Sequence, residues 1–170
     1  MNPVNLTPTQ LRNRGELRHA YESTSGAEGR AEDLSAVVCE GGDLSGLDLS
    51  GIVAADSVLR GASFRDAYLS MAMLDRLVAP QANFNGATLV DASLSEAQLA
   101  HSSFVGAKMF KANLQGADLR GADLRGADLR SVTFNNSDLR GARIDGARVG
   151  RYTTFVNARL DFDPDRLARE

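Results

Sequence analysis

The chain has no tryptophan, one cysteine, two histidines and four prolines in 170 residues. A single cysteine excludes an intramolecular disulfide framework. His19 and His101 lie at no metal-ligand spacing, so neither a zinc pair nor any other metal site is expected. Long apolar runs are missing too. No stretch reaches the 18 or so residues that a membrane-spanning helix needs, and the N-terminus lacks the apolar core of a signal peptide. The expected location is therefore the cytoplasm, away from any membrane. Aromatic residues make up only 6% of the chain, which suits a narrow interior filled by small side chains. Charge of neither sign dominates: 19 Lys and Arg oppose 22 Asp and Glu. No direct nucleic-acid partner is expected.

What the chain has in excess is one phrase. Residues 112–130 read ANLQGADLRGADLRGADLR. Taking Leu114, Leu119, Leu124 and Leu129 as centres and stepping by five in both directions, every position from Leu34 to Val149 is apolar, 24 in succession. The residue two before each centre is Ala in 14 of these repeats, so it also belongs inside. A helix cannot keep a five-residue stripe on one side, because five residues rotate it by about 500°. A flat strand sends successive odd-spaced centres to opposite faces. Both positions stay inward only if the chain turns a corner in every repeat. The residue two past the centre is the place for it, and 11 of the 16 glycines stand there, from Gly41 to Gly146. Such corners joined by short extended arms make an all-β solenoid.

Two irregularities support the register. Where the centre is only Ala54 or Ala79, the position two before it holds Ile52 or Leu77, so that large and small have traded places at nearly constant volume. Residues 32–151 read as uninterrupted repeats.

The motif Ala-(Asp/Asn)-Leu-X-X resembles that of the pentapeptide-repeat proteins, with close consensus from Ala107 to Ala147. The resemblance implies a right-handed quadrilateral β-helix with four repeats per coil, hence about six coils and a rod roughly 29 Å long. Phe64, Phe84 and Phe104 would then form an aromatic ladder inside one wall. The chain divides into an N-terminal helical cap over 1–30, the repeat β-helix over 31–151 and a C-terminal cap or dimerisation segment over 152–170.

At the N-terminus, Thr7, Pro8 and Gln10 have the order of a capping box, predicting a helix over 8–22 that covers the first coil. Beyond Val149 the register slips by one, with Phe155 and Leu160 continuing the period. Asp163 and Pro164 predict the start of a short C-terminal helix. Tyr152, Phe155, Leu160 and Phe162 either fold over the last coil or pair with a second chain. Similar proteins often dimerise through this end, which implies a homodimer.

No catalytic constellation is present, so no enzymatic activity and no cofactor are expected. Cys39 and His101 fall on one wall but about 14 Å apart. Cys39 sits on the central track as a small buried apolar residue. The glycines are corners and form no phosphate loop. Asp118, Asp123 and Asp128 each occupy a different wall, with backbone or solvent as their partners.

Function is left to the surface. The opening repeats carry Glu32, Asp33, Glu40, Asp43, Asp48 and Asp56 with no base, and residues 140–151 carry four arginines against Asp145 alone. In the middle, Tyr68, Met71, Val90 and Phe110 share one wall, with Met73 around the corner, a candidate protein-binding patch together with Glu40, Asp43 and Asp48. The resemblance also implies a specific partner. The best-known branch of the family binds DNA gyrase and protects it from poisons by resembling duplex DNA in shape and charge. A loop-free rod fits that branch. The charge fits less well: residues 31–150 carry 15 acids and 11 bases, whereas duplex DNA of the same length carries about 17 phosphates. A structural adaptor that docks a partner through the N-terminal helix and the apolar wall is the alternative.

Overall fold

A corner in every repeat is what the backbone adopts. The computed structural model describes residues 4–10, 12, 13, 34–164 and 167. In nearly every repeat the N–H three residues past the centre donates to the centre's carbonyl, as Ala67 does to Phe64 at 3.1 Å. The residue two past the centre takes a positive φ, 61° at Gly61 and 66° at Gly121. All the glycines assigned to corners adopt this conformation. So do bulky residues at equivalent positions, among them Met71, Arg76 and Lys111. The left-handed region costs an L-residue roughly 1–2 kcal/mol. The coil imposes it nonetheless, because only that turn keeps both flanking apolar residues inside.

Between corners the arms are too short for long strands and pair by single parallel bridges. The partner is 20 residues away, from Val38↔Val58 through to Asp128↔Arg148. Each coil therefore consumes four repeats and has four faces. The first carries centres Leu34, Ala54, Leu74, Leu94, Leu114 and Phe134, and the second runs from Cys39 to Leu139. The third includes Leu44, Phe64, Phe84, Phe104 and Leu124, and the fourth Leu49, Leu69, Leu89, Met109, Leu129 and Val149.

The interior is a stack of these centres with the small residues that precede them. Phe64, Phe84 and Phe104 form the expected ladder, with centroids 4.6 and 4.7 Å apart and planes within 2°. Ile52 and Ala54 are both buried, as are Leu77 and Ala79, which places the two size swaps in the core. Serine replaces alanine before some centres, and its hydroxyl donates to a backbone carbonyl. Ser102 reaches Leu99 and Ser137 reaches Phe134, each at 2.6 Å, so the buried polar atom is satisfied. Cys39 is buried on the central track, and desolvation raises its thiol pKa.

The N-terminal end starts with an element the sequence pattern does not announce. β1 (Val4–Asn5) pairs in parallel with β2 (Val37–Val38), and the Leu6 N–H donates to Val38 at 2.9 Å. The exposed strand edge of the first coil is thereby covered. The capping box follows directly. Thr7 N–H donates to Gln10 Oε1 at 2.9 Å and Gln10 N–H donates to Thr7 Oγ1 at 3.3 Å. Residues 8–10, 12 and 13 are helical; the remainder of the expected helix to Glu22 lies outside the described residues. Arg12 ties this segment to the rod through Asp43, at 3.5 Å.

At the other end the spacing changes from 20 to 21: Thr133 pairs with Thr154 and Asp138 with Arg159. Gly150 is the extra residue. It opens a turn closed by Thr153 N–H at 3.0 Å, and the Thr153 hydroxyl donates to the Leu129 carbonyl at 2.9 Å. Residues 152–159 thus continue the solenoid in a shifted register. Pro164 enters a short turn that Leu167 N–H closes at 3.3 Å, and the rest of the expected C-terminal helix lies outside the described residues.

Candidate interaction surface

Each repeat exposes three positions: the residue before the centre, the residue after it and the corner. In the repeats centred on Leu119, Leu124, Leu129 and Leu139 the first is Asp and the second Arg. Asp118 Oδ1 accepts the Arg120 backbone N–H at 3.2 Å while its two oxygens hold the Arg120 guanidinium at 2.8 and 2.7 Å. Asp123 with Arg125, Asp128 with Arg130 and Asp138 with Arg140 repeat the arrangement. The arginine hydrogen bond holds each carboxyl below its usual range, at about 2 for Asp138. Charge cancels within the repeat, and each carboxylate holds its own turn. Asp118, Asp123 and Asp128 do stand on three different faces.

Among the described residues no group of His, Cys, Asp and Glu could hold a metal ion. No helix among them is long and apolar enough to cross a membrane. His101 is an exposed corner residue with φ of 59°.

The fourth face and the corner after it are different. Tyr68, Met71 and Met73 are 56%, 64% and 45% exposed, the largest apolar exposures in the middle coils. Tyr68 stands one coil above Asp48, to which it is bridged, over a hollow of about 280 Å³ shared with Gly46 and Leu47. Val90 and Phe110 lie farther along the same face and are half-buried. The Phe110 ring is covered by cations, with Lys111 Nζ 5.3 Å and Arg130 Cζ 5.8 Å from its centroid. Periodicity could have revealed that cover, because Arg130 stands 20 residues after Phe110. Glu40, Asp43 and Asp48 are exposed on the opening coils. Hydrogen bonds from Ser45 lower the Asp43 pKa.

The four C-terminal residues separate. Phe155 stacks on Phe134, Phe162 meets Phe155 edge-on at 6.4 Å and Leu160 packs against the core. Tyr152 instead remains 63% exposed, at the corner between the fourth and first faces.

These features define a repeat solenoid whose chemistry lies in its outer faces. The sequence matches the model of pentapeptide repeats, in eight copies, over residues 43–76, 81–116 and 107–146, more than half of the chain. The chain belongs to the pentapeptide-repeat family, whose members fold as right-handed quadrilateral β-helices. Among solved structures it is similar to HetL of the cyanobacterium Nostoc, a pentapeptide-repeat protein involved in regulating heterocyst differentiation. Identity is 22% over 85% of this chain and 91% of that one, with a TM-score of 0.34. A pentapeptide-repeat protein of the Arabidopsis thaliana thylakoid lumen is 28% identical over 86% and 79%, also at a TM-score of 0.34. QnrB1, a plasmid-mediated fluoroquinolone resistance protein, is 16% identical over 89% and 94%, at a TM-score of 0.33. Membership in the family rests on the match to the repeats themselves. No curated protein matches the sequence significantly.

Proposed function

We propose that this protein is a non-enzymatic protein-binding rod and, in its most specific form, a DNA-mimic-like binder that protects or modulates a type II topoisomerase, DNA gyrase, against a poison. The observation that carries the binding role is the ridge of Tyr68, Met71 and Met73, exposed on the middle coils and contiguous with Asp48. Asp48 adds negative charge beside the ridge and Glu40 and Asp43 add it around the Gly41 corner of the opening coil, the sign that a DNA-binding enzyme accepts. Purified protein should alter gyrase supercoiling or rescue it from a quinolone, and the Tyr68→Ala/Met71→Ala variant should lose most of that effect. No change in supercoiling or rescue at micromolar excess removes the topoisomerase reading.

The apolar ridge equally favours an adaptor that docks another protein. The test expected to separate the two, deleting residues 1–24, also removes β1 and uncovers the first coil. Surface substitutions on the helical segment are the cleaner probe: an adaptor loses its partner, whereas a topoisomerase binder keeps its effect. A homodimer through the C-terminal end belongs to the same proposal, with light scattering after gel filtration as its test. So does a cytoplasmic location.

A further inference from the structure

The basic half of the fourth face has a composition that no other face shares. On the second face the carboxylates Asp118, Asp138 and Asp161 balance Arg120, Arg140 and Arg159. On the third, Asp123 and Asp145 balance Arg125 and Arg143. The first face is uncharged over the same coils. The fourth, with its corner, carries Lys108, Lys111, Arg130, Arg148 and Arg151 against Asp128 alone. Asp128 is engaged by Arg130 at 2.6 Å. Lys111 and Arg151 meet no carboxylate in an ion pair among the described residues.

Three of these cations, Lys111, Arg130 and Arg151, line a groove of about 290 Å³ with Phe110, Ser131 and Tyr152, and no acid stands in its wall. The insertion at Gly150 shapes it. The displaced turn brings Arg151 one coil beyond Arg130 and puts Tyr152 at the corner beyond Ser131. Arg151 Cζ then lies 4.6 Å from the Tyr152 centroid. Two aromatic rings are therefore each faced by a cation whose outer side is open to a ligand.

We propose that this groove binds an acidic segment of a partner protein, an extended peptide in which Asp or Glu alternates with apolar residues. Carboxylates would meet Lys111 and Arg151, about two coils or 10 Å apart. Acids two residues apart in an extended chain share one face about 7 Å apart, and the long Lys and Arg side chains close the difference. Apolar side chains would lie along Phe110 and continue towards Val90. A nucleic-acid strand fits less well, because cations already occupy the ring faces on which bases would stack. The basic stretch covers only two coil steps, and a longer polyanion following the rod would run into Asp91, the corner residue one coil before Lys111. The inference does not depend on the topoisomerase reading, since it concerns a partner of the opposite charge.

The test is fluorescence anisotropy with a labelled twelve-residue peptide of repeating Glu-Leu-Asp-Phe. A peptide with Lys at the acidic positions and a twelve-nucleotide oligothymidylate serve as comparisons. The acidic peptide should bind, weaken with added salt and lose at least about tenfold in affinity with Lys111→Glu/Arg151→Glu, while Arg60→Gln, an exposed cation on the second face, leaves it unchanged. Both exchanged residues are exposed, and the melting temperature checks the fold. Lys111→Gln/Arg151→Gln replaces the pair if charge reversal unfolds the rod. Absence of binding at about 1 mM peptide, indifference to the double substitution, or tighter binding of the oligonucleotide would each overturn the proposal.

Discussion

Phe155 stacks on Phe134 with centroids 5.2 Å apart and planes 7° apart, although 21 residues separate them in a fold whose period is 20. The extra residue, Gly150, is taken up in the turn, so the aromatic contact survives the slip. Without it, the chain from Val149 through Arg151, Tyr152, Thr153 and Thr154 to Phe155 would be an unbroken repeat, with Tyr152 at the corner where φ is positive. In the structure Tyr152 avoids that conformation.

Deleting Gly150 should therefore keep the Phe134–Phe155 stack but force Tyr152 into the left-handed region. The expected cost is about 1–2 kcal/mol, read as a lower urea midpoint. Adding Tyr152→Gly to the deletion should recover about half of the loss or more. If the deletion alone is as stable as the parent, the slip does not serve to relieve Tyr152.

The corner glycines divide by their surroundings. A Cβ at Gly61 meets nothing within 4 Å, whereas one at Gly121 falls 2.5 Å from His101 Nδ1. Gly61→Ala should cost about 1 kcal/mol, from backbone conformation alone. Gly121→Ala should cost that plus the displacement of His101. In a His101→Ala background the two substitutions should become equal in chemical denaturation, a coupling that a double-mutant cycle measures.

The fold was legible because one local rule, an inward centre with a small residue two before it and a turn two after, repeats without interruption and fixes the global shape. Even the bulky corners at Met71 and Lys111 are set by register. β1 was not legible, because a two-residue arm with no repeat around it has no period; its partner is chosen by the open edge at Val37–Val38. The acidic repeats mislead in another way. Asp118 and Asp138 read as surface charge, yet each is neutralised by the arginine two residues on. The exposed ridge at Tyr68 and Met71 follows from register alone, whereas the basic groove depends on Gly150, whose effect emerges only when coils are stacked.

The paired sizes at Ile52 and Ala54 give a sharper test of the core. Ile52→Ala should create a cavity and cost about 2–4 kcal/mol, and Ala54→Leu alone should overpack the first face by about 1–3 kcal/mol. Combined, they restore the prevailing Ala-X-Leu pattern and should fall within about 1 kcal/mol of the parent. Simple additivity in the denaturation midpoints would mean that the two side chains do not share one space.

Acid should weaken the rod through its carboxylate–arginine turns. Asp138 has a folded pKa of about 2, below the ordinary carboxylate value, chiefly because Arg140 donates to it, and Asp118, Asp123 and Asp128 shift in the same direction. A depressed folded pKa means that the unfolded chain takes up protons first as pH falls. The stabilisation is thus complete above about pH 5, erodes from about pH 4 and, for Asp138, is lost near pH 2. Urea midpoints measured from pH 6 to pH 2 should fall across that window. Asp138→Asn keeps the acceptor for the Arg140 backbone N–H but cannot titrate, so it should be less stable than the parent at pH 6 and show a shallower decline. A parent whose midpoint is flat down to pH 2, or an Asp138→Asn variant with the parent's slope, would show that these ion pairs contribute nothing to folding.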